Sequence, residues 1–135
     1  MMQIYFKNSF ISIYYDKAAR LGKAEWRGHL HGPELREAYL LCQDLIDRHS
    51  LVRWLADDRL MQSIAPADLA WSLREHVPRM ATGPLLRMAR LPSHHKQNRE
   101  AVDMMIDKGS SLETHLEIRD FTEEQEALDW LLNPL

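Results

Sequence analysis

A single cysteine, Cys42, in 135 residues rules out an intrachain disulfide and fits a reducing compartment. Glycine is scarce as well, with five residues. There is no Gly-rich phosphate loop and no GxGxxG turn, so the usual backbone cradles for nucleotides are missing. Neither sign of charge dominates. The 17 basic and 20 acidic residues give a formal net charge of −3, and no strong pull toward nucleic acid or an anionic membrane is expected. No apolar run approaches the ~20 residues that cross a bilayer. The start, Met1-Met2-Gln3-Ile4-Tyr5, lacks the basic region and long apolar core of a signal peptide. Ser9, Ser12 and Ser93 have no nucleophile elbow around them. The expectation is one cytoplasmic domain over residues 1–135. Its composition, 45% hydrophobic and 27% charged, is that of an ordinary globular protein.

What is present is a clear order of elements. Met2–Lys7 and Phe10–Tyr15 are rich in Ile, Tyr and Phe and separated by Asn8-Ser9, which predicts a tight hairpin. Asp16–Gly22 is polar and predicts a second turn. Lys23–Gly28 alternates with a period of two, as an antiparallel strand with one wet face does. Gly32-Pro33 opens a helix whose inner stripe is Leu35, Ala38, Tyr39, Cys42, Leu45 and Ile46, ending near Arg48-His49-Ser50. Val52–Ala56 follows as a central strand with Leu55 buried, stopping at Asp57-Asp58-Arg59. Pro66 starts a second helix with Asp68 in its first turn and an inner stripe of Leu69, Leu73, His76 and Val77; Pro78 ends or kinks it. Leu85–Leu91 is a strand. Lys96–Lys108 is a helix capped by Gly109. Thr114–Arg119 is a strand near an edge, and Thr122 with Gln125 forms a capping box for a last helix packed by Ala127, Leu128, Trp130 and Leu131. Strand–helix–strand units in one sheet are parallel, right-handed crossovers. The fold class is therefore α/β: N-terminal antiparallel strands, then βα crossovers, in a mixed sheet with about four helices, Val52–Ala56 lying between Leu85–Leu91 and Thr114–Arg119.

The stretches Tyr14-Tyr15-Asp16, Ala24-Glu25-Trp26-Arg27-Gly28, Trp54-Leu55-Ala56-Asp57 and Ile64-Ala65-Pro66-Ala67-Asp68-Leu69-Ala70-Trp71 carry a family resemblance, as do Ile118-Arg119-Asp120-Phe121 and Glu126-Ala127-Leu128-Asp129-Trp130-Leu131. Over nearly its whole length the chain resembles the STAS-like (SpoIIAA-like) domains, small bacterial proteins similar to anti-sigma-factor antagonists and related to the CRAL-TRIO lipid-binding fold. The resemblance implies a non-enzymatic module acting by protein contact, as a homodimer or with a regulatory partner, and as the alternative a small apolar-ligand or lipid binder. Its regulatory branch carries a phosphorylatable Ser or Thr before Gly at a helix start, where a phosphate would meet free N–H groups. Here Asp57-Asp58-Arg59-Leu60-Met61-Gln62-Ser63-Ile64 has no Ser-Gly pair, and Ser63 is displaced. A phosphorylation switch is therefore not expected.

The candidate ligand or partner edge is Asp57, Asp58 and Arg59 at the end of the central strand, with Ser93, His94 and His95 after the next one. Carboxylates beside histidines also raise a third reading, a metal-dependent hydrolase. Yet His94-His95 point to opposite sides on extended chain, His29-x-His31 lies beyond a different strand, and neither matches a zinc spacing. No metal and no cofactor are expected. Cys42 belongs to an inner helical stripe and is expected to be a buried, inert thiol. Trp71 is rotated ~200° from Leu69 at ~100° per residue, so Trp71 with Met80 is the expected homodimer contact. An enclosed cavity would favour the ligand reading, a solid core the contact reading.

Overall fold

The hairpin and the alternating strand form as their patterns require. In the computed structural model, which describes residues 1–135, β1 (Gln3–Lys7), β2 (Ile11–Asp16) and β3 (Leu21–Gly28) make an antiparallel meander. Asn8 closes the hairpin with its side-chain oxygen, which accepts the N–H groups of Phe10 (2.8 Å) and Ile11 (2.9 Å). Gly22 lies inside β3 and not in the preceding turn. A Cβ there would sit 2.3 Å from a ring carbon of Trp54, so glycine serves close packing, while Arg20 takes the left-handed conformation (φ 52°) that turns the chain.

α1 (Pro33–His49) carries the chain to β4 (Arg53–Met61). Leu35, Leu45 and Ile46 are fully buried, each worth roughly 1.5–3 kcal/mol of transfer free energy. The helical segment after β4 comprises α2 (Pro66–Trp71), a π turn (Ser72–His76) and α3 (Val77–Thr82). Pro78 neither ends nor sharply breaks it. Proline offers no N–H and crowds the carbonyl four residues back. The wider turn just before it, with the Val77 N–H on the Ser72 carbonyl, takes up that fault. The inner stripe is centred on buried Asp68 and Ser72, with Leu69 and Trp71 half-buried on its two flanks.

β5 (Arg87–Leu91), α4 (Lys96–Ser110), β6 (Glu117–Asp120) and α5 (Glu124–Leu131) complete the chain. Gly109 lies in the last turn of α4 and is not its cap. The capping box at Thr122 does not form: Glu123 is the N-cap of α5 and makes no side-chain capping bond. The six strands run in sequence order, with β3, β4, β5 and β6 mutually parallel. Leu55 is fully buried, but the neighbours of β4 are β3 and β5, and β6 lies outside β5. β3–α1–β4 is itself a strand–helix–strand unit with β3 paired beside β4, which leaves β4 one further neighbour, taken by β5.

The two faces are unequal. α1, the α2–α3 segment and α4 cover one side over a core that includes Ile11, Ile13, Trp26, Leu45 and Trp54. On the other, α5 alone covers Leu21, Leu55, Ala89 and Leu91 with Ala127 and Leu131. No helix is long and apolar enough to cross a membrane.

Candidate functional site

β4 does not stop at Asp57. It runs on through Asp58 and Arg59 to Met61, with a bulge where Asp57 pairs Glu25 but Leu60 pairs Arg27. Strand alternation sends adjacent carboxylates to opposite faces. Asp57 goes with Leu55 to the α5 side. Asp58 goes with Trp54 and Ala56 to the side of α1 and α4. The bulge then changes phase, so that Met61 is buried in the same core as Trp54 while Leu60 is exposed.

On the α5 side Asp57 is buried and already partnered. Arg59 donates to it from its backbone N–H (3.2 Å), from Nε (3.0 Å) and from Nη2 (2.9 Å). Burial pushes the Asp57 carboxyl up, but those bonds and the Arg59 charge outweigh it and hold the group below the usual carboxylate range. Glu25 and Glu124 bring further carboxylates within 4.8 Å of it. Lys23 crosses this cluster, 3.4 Å from Glu25 and 3.0 Å from Glu124, and Arg59 reaches Glu124 at 3.7 Å. Two cations thus already fill the space between three carboxylates, which makes a structural ion network.

Ser93, His94 and His95 do lie beside the end of β4. Ser93 is buried and donates to the Met61 carbonyl (2.5 Å) while accepting the His95 N–H, and the His94 N–H reaches the Arg59 carbonyl. Both histidine side chains are exposed. His94 borders a shallow polar hollow with Asp57, Arg59 and Arg27. Neither histidine joins Asp58, which faces the other way. His29 and His31 stand 5.4 Å apart, ring to ring, with Ser63 at 3.3 Å from His29; no carboxylate or thiol joins them within ligand distance.

Asp58 faces a cavity of about 110 Å³ between the sheet and α4, lined by Trp26, Tyr39, Trp54, Met88, Arg90 and Met105 among others. Fourteen of its 18 lining residues are hydrophobic, so an acid and a guanidinium form its polar end. Desolvation pushes the Asp58 carboxyl up to about 7; the Arg90 charge opposes that shift, and Asp57 and Asp120 add to it. His76 stacks on Tyr39 at 4.0 Å, and burial lowers its pKa to about 3, so it is neutral. Cys42 is buried on the same wall, its thiol pushed up by burial. Met80 lines the cavity too and is only 8% exposed; Trp71 lies half-buried against Tyr39, with the Arg36 guanidinium 5.6 Å from its ring. Trp71 and Met80 therefore do not form one exposed patch. Tyr39, His76 and Arg90 were absent from the sequence-based site. Arg90 had a readable signal, a guanidinium inside the otherwise apolar run Met88-Ala89-Arg90-Leu91.

No curated protein matches the chain. Among solved structures it is similar to the crystal structure of an uncharacterized protein with a SpoIIAA-like fold, of the DUF3478 family, from Shewanella loihica PV-4. The TM-score is 0.58 at 15% identity, over 97% of this chain and 92% of that one. At that identity the likeness is one of fold. The SpoIIAA-like family model matches residues 21–132, from the first residue of β3 to just past the end of α5. With every parallel crossover of its sheet inside that match, the chain belongs to the SpoIIAA-like family.

Proposed function

We propose that this domain is a non-enzymatic binding module whose cavity between the sheet and α4 takes a small, mostly apolar molecule. The observation that carries the reading is the cavity itself: a partly open cleft with largely apolar walls and one buried carboxyl that no protein donor serves. A packed core seldom leaves a polar group in that condition. Its volume is below the ~300–1,000 Å³ common for drug-sized ligands. It approaches the ~150 Å³ of an engineered apolar void that accepts benzene. The ligand class is accordingly a single ring or a short chain. Protein contact is the second reading, favoured by the unpaired outer edges of β1 and β6.

The test fills the cavity. Ala81 lines it and is 7% exposed, so Ala81→Leu occupies the void from one wall. The expected result is that toluene shifts the indole N–H NMR signals of Trp26 and Trp54 in the wild type and leaves them unmoved in folded Ala81→Leu. Equal shifts in both proteins, or none in the wild type, would remove the ligand reading.

A further inference from the structure

Asp58 is 7% exposed, lines the cavity and has no hydrogen-bond donor from the protein. Behind it stands a second unmet group. Arg90 is 4% exposed, and its Nη1 is held at 3.2 Å from Asp120 and 3.6 Å from Asp103 at the surface. Its Nε–H finds no acceptor. Ala56 pairs with Arg90 across β4 and β5, so Asp58, two residues along the same face, sits diagonally from Arg90 without forming an ion pair with it. A buried acceptor and a buried donor therefore face one apolar space, neither satisfied by the other.

The charges around this space select the head group. A charged ligand of either sign would be drawn to one of Asp58 and Arg90 and repelled by the other, so neither sign gains a clear net attraction. Either would also lose its hydration in a cavity walled by Trp26, Trp54, Met88 and Met105. An uncharged hydroxyl avoids both repulsions: it donates its one O–H and keeps two lone pairs for a neighbouring donor. Resting on the ligand reading above, we propose that Asp58 is the hydrogen-bond acceptor for a small neutral alcohol or phenol whose apolar body fills the cavity.

Four probes sharing one body test this: toluene, p-cresol, 4-methylbenzoate and 4-methylbenzylamine, titrated by NMR on the Trp26 and Trp54 indole signals. Adding a hydroxyl costs desolvation, so p-cresol gains over toluene only where a partner accepts its proton. At pH 8, above the value near 7 at which the buried Asp58 carboxyl ionises, p-cresol is expected to bind about tenfold or more tighter than toluene, as a hydrogen bond to a charged group allows. Both ionic probes are expected to bind more weakly than p-cresol. In Asp58→Val the toluene signal shifts persist and the preference for p-cresol disappears; Asp58→Asn, which keeps an acceptor oxygen, retains part of it. Toluene and p-cresol binding equally, a preference that survives Asp58→Val, or an ionic probe binding tightest would overturn the role of Asp58 while leaving the cavity a ligand site. Failure of all four probes to bind would overturn the ligand reading as well.

Discussion

Replacing Asp58 by Asn converts a buried titrating acid into a neutral group of nearly the same shape, and the consequence is a change in how stability depends on pH. Burial raises the native carboxyl from its ordinary 3.8 to about 7. Between those values the unfolded chain has released a proton that the native chain still holds. Such a group favours folding fully below the unfolded value, and that contribution is lost as pH rises through the native one. Wild type should therefore lose roughly 2–3 kcal/mol relative to Asp58→Asn between pH 5 and pH 8, at ~1.4 kcal/mol for each pH unit of that interval lying below the native value. The new amide also needs partners, at ~1–3 kcal/mol if they are missing. That cost is the same at every pH, so it moves the variant's curve without changing its slope. Urea unfolding of both proteins at pH 5, 6, 7 and 8 measures the gap directly. Parallel curves across that range would refute the desolvation of Asp58, and with it the buried polar end of the cavity.

Asp57 titrates the opposite way, since its native value is depressed. Its contribution is present above the unfolded value near 4 and lost as pH falls through the native one, so the deficit of Asp57→Asn at pH 7, about 1–3 kcal/mol, should shrink below pH 4 in acid unfolding curves. Gly22→Ala places a methyl 2.3 Å and 2.5 Å from two Trp54 ring carbons and 2.9 Å from Leu51. It should lower stability by ~1–3 kcal/mol or more, read as a drop in urea midpoint with unchanged slope. Trp71→Ala removes the stack on Tyr39 and the Arg36 contact and should cost about 1–2 kcal/mol in the same assay. Sedimentation of that variant and wild type over a dilution series is expected to superimpose, and a weakened dimer in the variant alone would place Trp71 in a homodimer interface.

Much of the fold was legible because period and punctuation are local properties. The alternation in Lys23–Gly28, the apolar run up to Ala56, the stripe of α1, and Pro33 and Pro66 at helix starts fix element type before any tertiary contact is made. The parallel order from β3 to β6 follows from helices too long to serve as hairpin loops. The site was legible only as a list of residue types. Asp57, Asp58 and Arg59 read as a strand end because such residues are poor strand formers in isolation. Whether they pair, titrate or face a void depends on which partners the sheet supplies. Arg59 binds Asp57, the pleat turns Asp58 to the opposite face, and Arg90 arrives from the neighbouring strand. The same holds for Gly22, whose place inside a strand is set by a Trp54 ring 32 residues away in sequence. The sequence by itself determined the order and type of the elements, which depend on neighbours within a few residues. Only the tertiary structure decided which carboxylate is paired and which faces a cavity, because that depends on strand register, the pleat of β4 and the elements that close over each face of the sheet.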